Sequence, residues 1–342
     1  MKLLKYTILA LFIFIWLAGM NTDVLNLTNP LRHGQDGYQF GDLYRLSNLP
    51  QFKDPRHACT PYVPNIKLKT PSKRVNLFIL GDSFTEPERI HGQYFDVDQY
   101  QYVHWADVMH LHLDTSATNL LVIEAVERHV RERFVQPIAN FVPDSASFIR
   151  KPDNPKFMHQ LDAAFSSKNT ENRLDMLLLQ NNLVMQVKEW KAALNYRFFN
   201  RVSDDVKLVN DGKDVVYHLD VNTPHVNSSF SALKNTELDT IVLNINESAS
   251  IARKMGFDEV VLSVIPNKVS IVAPDFGEYN HLIERVQSHP NLKVPFVDIY
   301  SVFSKMGNSA YLKGDSHWTC EGQAAWLAHT NILLKLSLPE TK

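Results

Sequence analysis

Three short stretches of this chain, residues 75–80, 120–125 and 259–265, are apolar almost without interruption. A strand with one wet face alternates apolar and polar positions, so a continuous apolar run marks a strand buried on both faces. Helical patterns separate these runs. A charged, helix-compatible stretch spans 127–134. Leu238, Ile241, Val242, Ile245, Ile251, Ala252 and Met255 recur at helical spacing before Gly256, a residue suited to ending a helix. A further helix over 279–287 precedes a fourth apolar run at 295–299. Strands alternating with helices predict an α/β fold, a mainly parallel sheet flanked by helices.

Two regions fall outside this alternation. Between about 143 and 235 the pattern changes to a helix over 174–193 and strand-like pieces at 206–208 and 215–219, which reads as an inserted middle region. Residues 23–72 show little periodicity and many turn formers, among them Asn29-Pro30, Asp54-Pro55, Thr60-Pro61 and Thr70-Pro71, so an irregular stem is expected there. The α/β domain is then 73–338, carrying the insertion.

The stem is preceded by a nearly unbroken apolar run from Tyr6 to Met20, with Lys2 and Lys5 ahead of it. Such a segment directs the remainder of the chain to export, and the two lysines place the short N-terminus on the cytoplasmic side. Residues 17–21 contain no clean small-x-small cleavage site, and no cysteine there accepts a lipid. Residues 1–22 are therefore read as an uncleaved membrane anchor, with the domain in the periplasm or outside the cell; cleavage would make it secreted.

Lys and Arg total 35 against 37 Asp and Glu, a net charge of −2, which lacks the basic excess that binding a phosphate backbone requires. Nucleic acid is not an expected partner. The two cysteines, Cys59 and Cys320, match no metal-ligand spacing and define no disulfide framework, although one long-range disulfide is compatible with them. No nucleotide or metal motif is present, so no cofactor is expected.

The first strand delivers Gly81-Asp82-Ser83-Phe84-Thr85 to its carboxyl end, where ligands bind in open α/β sheets. A glycine lets the chain leave the strand sharply, and a serine there starts the next helix with its hydroxyl exposed; simple helix capping is the alternative. A serine nucleophile needs a histidine base, itself oriented by a carboxylate. Asp315 and His317 supply that pair on a loop opened by Gly314, with Thr319 placed to cap a helix over 321–334.

Taken together, these segments resemble the SGNH hydrolase superfamily and, within it, the alginate O-acetyltransferase group of the AlgJ and AlgX kind. Residues 79–85 look like the nucleophile block. Gly314-Asp315-Ser316-His317-Trp318-Thr319, with Gly322, Ala324 and Ala325 after it, looks like the Asp-x-His-Trp block, and Val264-Ile265-Pro266-Asn267-Lys268 is similar to a strand-end Pro-x-Lys segment. The resemblance spans about 75–334 and implies an SGNH (flavodoxin-like) sheet. Simple esterases of the superfamily space the relay as Asp-x-x-His, whereas Asp315 and His317 are two apart, as in the acetyltransferase-like group. The order, serine before the pair, is closer to the esterases. The usual glycine and Gly-x-Asn-Asp blocks are missing, which leaves the second oxyanion donor open. Arg128, Asn267 and Lys268, at strand ends, are candidates for it or for substrate contact. Trp318 would either stack on a sugar or bury itself against the last helix. For Arg128 the alternative is a surface ion pair, Glu124 with Arg128 or Glu127 with Arg131.

What the resemblance implies is O-acyl transfer, with acetyl as the acyl group, to an extracytoplasmic polysaccharide. Ser83 would carry the acyl group, and a multispanning membrane acyltransferase would supply it. A carbohydrate esterase with the same three residues and a non-catalytic polysaccharide-binding assembly protein are the alternatives.

Overall fold

The computed structural model describes residues 2–28, 39–55, 57–68, 73–143, 165, 170–180 and 182–338. Two compact units divide the chain: residues 1–55 with 148–202, and residues 56–147 with 203–342. The expected insertion is thus not one piece, since 203–235 belongs with the sheet and 148–202 belongs with the N-terminal segment.

Among the described residues, the larger unit contains nine strands: β1 (Val75–Gly81), β2 (Gln99–His104), β3 (Met109–Leu111), β4 (Thr118–Val126), β5 (Phe141–Pro143), β6 (Val206–Val209), β7 (Asp214–Tyr217), β8 (Glu259–Ile265) and β9 (Phe296–Val297). Five of them form one sheet in the order β2-β1-β4-β8-β9, every neighbouring pair parallel. This is a flavodoxin-like order. The chain leaves β1 toward one edge and returns to the other side through β4, so the topological switch lies between the carboxyl ends of β1 and β4. All nine positions of β4 are buried, as its apolar run requires. β2 escapes a search for continuous apolar runs because it is an edge strand, with Gln99 and Gln101 exposed between half-buried tyrosines.

Helices cover both faces. On one, Leu238, Ile241, Ile245 and Ala249 of the Asn235–Met255 helix pack with Leu121, Ile123 and Leu262; that helix ends at Gly256, whose φ is 111°. On the other, Trp326, Leu327 and Leu334 of the Cys320–Ser337 helix and Phe303 pack with Leu77, Ile79 and Val122.

Local chemistry shifts several expected boundaries. Turns rather than a helix come after Ser83: Thr85 N–H donates to Asp82 O, and a proline at 87 disfavours helical backbone at the residue before it. The helix expected over 279–287 begins only at Leu282, because Asn280 turns its side chain back to accept from the Leu282 N–H and donate to Ser228 O and Ser231 O. The fourth strand shrinks to Phe296–Val297 because Asp298 caps the helix Ile299–Met306.

Among the described residues of the smaller unit, the expected stem holds the helices Thr22–Asn26, capped by Asn21, and Asp42–Ser47, and a single 3-10 turn at Pro50–Phe52. The single helix expected over 174–193 is two, Thr170–Leu178 and Asn182–Phe199. Asn182 opens the second, and asparagine side chains compete with the backbone for helical hydrogen bonds. Lys2–Met20 is a 19-residue helix with an 18-residue stretch of mean hydropathy 2.0, long and apolar enough to cross a membrane.

Cys59 and Cys320 form a disulfide that closes a sequence separation of 261 residues onto the first turn of the last helix. Cross-linking residues so far apart restricts the unfolded chain strongly. Cys59→Ala is expected to cost about 2–5 kcal/mol, read as a lower urea midpoint than that of the oxidised protein. Midpoints that coincide would show that the bridge adds nothing to stability.

Candidate active site

Ser83 lies in the turn after β1, and two buried carboxyl groups hold that turn. Glu124 Oε2 accepts from the Asp82 N–H and the Thr85 hydroxyl, both at 2.9 Å. Asp82 Oδ1 accepts from the Phe84 N–H, while Oδ2 accepts from the Val126 N–H and from Arg133 Nη1 at 3.1 Å. β1 and β4 are thereby laced together at the switch point. Gly81 is required here for close approach rather than for an unusual backbone angle: a Cβ on it would lie 2.0 Å from Thr85 Oγ1 and 2.8 Å from Glu124 Oε2. Ser83 keeps its carbonyl on Arg89 Nε at 2.7 Å, and its N–H donates to no group among the described residues.

The partner loop precedes the last helix. His317 Nε2 lies 2.8 Å from Ser83 Oγ, and His317 Nδ1 lies 2.6 Å from Asp315 Oδ1, which also accepts from the His317 N–H at 3.0 Å. A carboxylate can only accept, so Nδ1 carries the proton and Nε2 is left to accept from the serine. The Phe84 ring packs on the imidazole with centroids 4.7 Å apart. Asp315 is 1 % exposed and His317 8 %. Thr319 caps the helix through the Gly322 N–H.

The structure therefore brings Ser83, His317 and Asp315 into one hydrogen-bonded chain and gives the other candidates different work. Lys268 does not face an oxyanion: its three donors go to Leu312 O at 2.8 Å, Lys313 O at 2.9 Å and Asp315 O at 3.2 Å, fixing the loop that carries Asp315. Asn267 is bound on every side. It accepts from the Arg128 N–H, donates its own N–H to Glu127 Oε2 and donates Nδ2–H to Ser229 Oγ. Arg128 is buried, 3.4 Å from Asp220 Oδ1 and over the Tyr217 ring, so neither the oxyanion role nor a pair with Glu124 describes it. Arg131 pairs with Glu237 rather than Glu127. Trp318 is 4 % exposed between Phe84 and Trp326, with centroids at 5.0 and 5.5 Å, which is burial and not a sugar platform. A cleft of about 420 Å3 opens beside it, lined also by Glu88, Arg89, His91, Tyr94 and Gln323.

Sequence reasoning passed over Glu124 and Glu127 as a buried pair. Their signal was a carboxylate inside, and one just after, an otherwise apolar strand, where burial without purpose is costly. Burial, and then the negative charge of Asp82, push Glu124 well above the usual carboxyl range. Burial raises Glu127 from 4.5 to about 7, against the hydrogen bonds from Ser270 and Asn267 that favour its charged form. As pH rises from 4.5 to about 7, the unfolded chain ionises at this position while the folded one stays protonated. Stability is then expected to fall across that window by about 3 kcal/mol and to level off above it. Glu127→Gln keeps an oxygen for both hydrogen bonds, and chemical denaturation at pH 5 and pH 8 should show a smaller difference than in the parent; equal slopes would contradict this.

Compared with family models, with curated proteins and with solved structures, the chain finds no match in any of the three.

Proposed function

We propose that this protein is a serine-dependent acyl-transfer enzyme of the SGNH hydrolase-like class, working by double displacement through an acyl-serine at Ser83. The observation that carries the reading is the continuous hydrogen-bonded chain from Ser83 Oγ through the His317 ring to Asp315. His317 Nε2 takes the Ser83 proton as Oγ bonds to the acyl carbon, and the leaving group of the donor departs with that proton. An acceptor hydroxyl then gives its proton to the same nitrogen and attacks the acyl carbon, and Ser83 leaves and recovers a proton. Asp315 holds the ring in the required tautomer. The Ser83 N–H is available to the developing oxyanion.

The spacing of Asp315 and His317 supports the acetyltransferase-like branch, with acetyl as the acyl group and a polysaccharide hydroxyl as acceptor. The cleft beside Trp318 adjoins the loop that carries His317 and is a candidate place for such an acceptor, although none of the three relay residues lines it. In this reading Lys2–Met20 anchors the protein with the enzyme on the extracytoplasmic face, and a multispanning membrane acyltransferase hands it the acyl group. The Cys59–Cys320 disulfide agrees with an oxidising compartment.

The test is to incubate the full-length protein in detergent with an activated acetyl ester, digest it and map the modified peptide. The peptide containing Ser83 should gain one acetyl group, discharged faster by an oligosaccharide than by water alone. Discharge by water at an undiminished rate would select the esterase. Acetylation elsewhere only would refute the acyl-serine.

A further inference from the structure

The smaller unit carries a second apolar surface, separate from the Lys2–Met20 helix. On the Asn182–Phe199 helix, Leu183, Val187, Trp190, Leu194 and Phe198 are 73 %, 53 %, 67 %, 54 % and 67 % exposed. Their spacing puts all five on one face, a straight stripe roughly 22 Å long. Lys191 and Arg197 border it, both exposed, and the Arg197 guanidinium lies over the Phe198 ring. The opposite face is occupied: Met185 is buried, Glu189 accepts from Tyr44 and Lys53, and Lys188 lies 3.5 Å from Asp175. The helix is thus held to its unit by one side, leaving outward a row of large apolar side chains that soluble surfaces rarely tolerate.

The place where the helix is attached says what covers this row. Arg173 Nη1 donates to Gly19 O at 3.1 Å, and Gly19 packs against Leu174, so the last turn of the Lys2–Met20 helix sits on the Thr170–Leu178 helix. The stripe begins at Leu183, five positions after Leu178 at the end of that same supporting helix, which itself packs on the last turn of the apolar span. Trp, Phe and Leu on one face with Lys and Arg at its margins is the chemistry of a helix lying in a membrane interface, where the long basic side chains reach back to phosphate.

We propose that the Asn182–Phe199 helix lies in the bilayer surface, in the leaflet where the Lys2–Met20 helix ends. Leu183, Val187, Trp190, Leu194 and Phe198 enter the acyl-chain boundary, and Lys191 and Arg197 meet the headgroups. The proposal rests on Lys2–Met20 being a span and is independent of the acyl-transfer reading. A second attachment of this kind fixes the unit's orientation on the membrane, which a single span leaves free to rotate.

The test uses the full-length chain in vesicles of phosphatidylcholine and phosphatidylglycerol, with or without bromine on the acyl chains. Trp190 is isolated as the difference between the parent and Trp190→Phe, and Trp16 in the same way through Trp16→Phe. Brominated lipid should reduce both components by about twofold or more. Val187→Glu combined with Leu194→Glu, at exposed positions, should abolish quenching of Trp190 and leave that of Trp16. Quenching of Trp16 without Trp190 would overturn the proposal, as would a Trp190 shielded from both brominated lipid and aqueous acrylamide, which means a protein covers the stripe. Quenching of neither would remove the span and the proposal together.

Discussion

In His317→Ala, formation of the acyl-serine is expected to fall by roughly four to six orders of magnitude, because the proposed mechanism gives the Ser83 proton no other acceptor. Ser83→Ala should remove the Ser83-linked acetyl altogether, and the double variant should turn over no more slowly than either single one, since residues that act as a unit do not add. Asp315→Asn is the more informative change. The asparagine can present its N–H to Nδ1, which moves the ring proton to Nε2 and leaves the serine facing a donor, so about a 10⁴-fold loss is expected with the fold intact. Rates from single-turnover acylation and near-ultraviolet circular dichroism check both halves. Acylation of His317→Ala at the parental rate would remove the histidine from the mechanism.

Lys268→Met is the second large effect, although Lys268 touches no reacting atom. It is a positioning residue: its ammonium group, 2 % exposed at the residue level, binds three carbonyls of the 312–315 segment. Methionine fills similar volume but removes the donor that these three oxygens share, leaving Leu312 O only the Asp315 N–H at 3.4 Å, a loss of about 3 kcal/mol in stability. Freed of this clamp, the Asp315 loop loses its registration with Ser83, and a displacement near 1 Å lowers kcat by about 100-fold while KM for the acyl donor changes little. Urea denaturation and steady-state kinetics read the two effects separately. A KM rise with kcat unchanged would instead assign Lys268 to substrate binding.

The parts legible beforehand share one property: their signal is local. β8 matches its apolar run residue for residue, and the Asn235–Met255 helix with its Gly256 stop comes from periodicity and a single cap. The meeting of Ser83 with Asp315 and His317 came from motif position, since nothing in residues 83 and 317 taken apart requires contact. The elements that stayed hidden were set by partners distant in sequence. β2 is a strand because its backbone pairs with β1, not because its residues are apolar. Asn280 unwinds the start of a helix because Ser228 and Ser231, about fifty positions earlier, offer it carbonyls. The strand-end residues Arg128, Asn267 and Lys268 look alike in sequence, each polar and beside the site. Only the fold supplies Asp220, Ser229 and the 312–315 carbonyls that engage them.

By itself, then, the sequence determined the parallel α/β layering, because buried strands and amphipathic helices are written in the periods 2 and 3.6 and in unbroken apolar runs. It also marked which serine, histidine and aspartate to compare, and that the first twenty residues are apolar enough for a membrane. Tertiary structure alone decided the upward pKa shifts of Glu124 and Glu127, the pairing of Cys59 with Cys320 and the use of Lys268 as a clamp. Each of these depends on how much water is excluded and which group stands opposite. Those quantities come into being when distant segments pack, and no single stretch of the chain contains them.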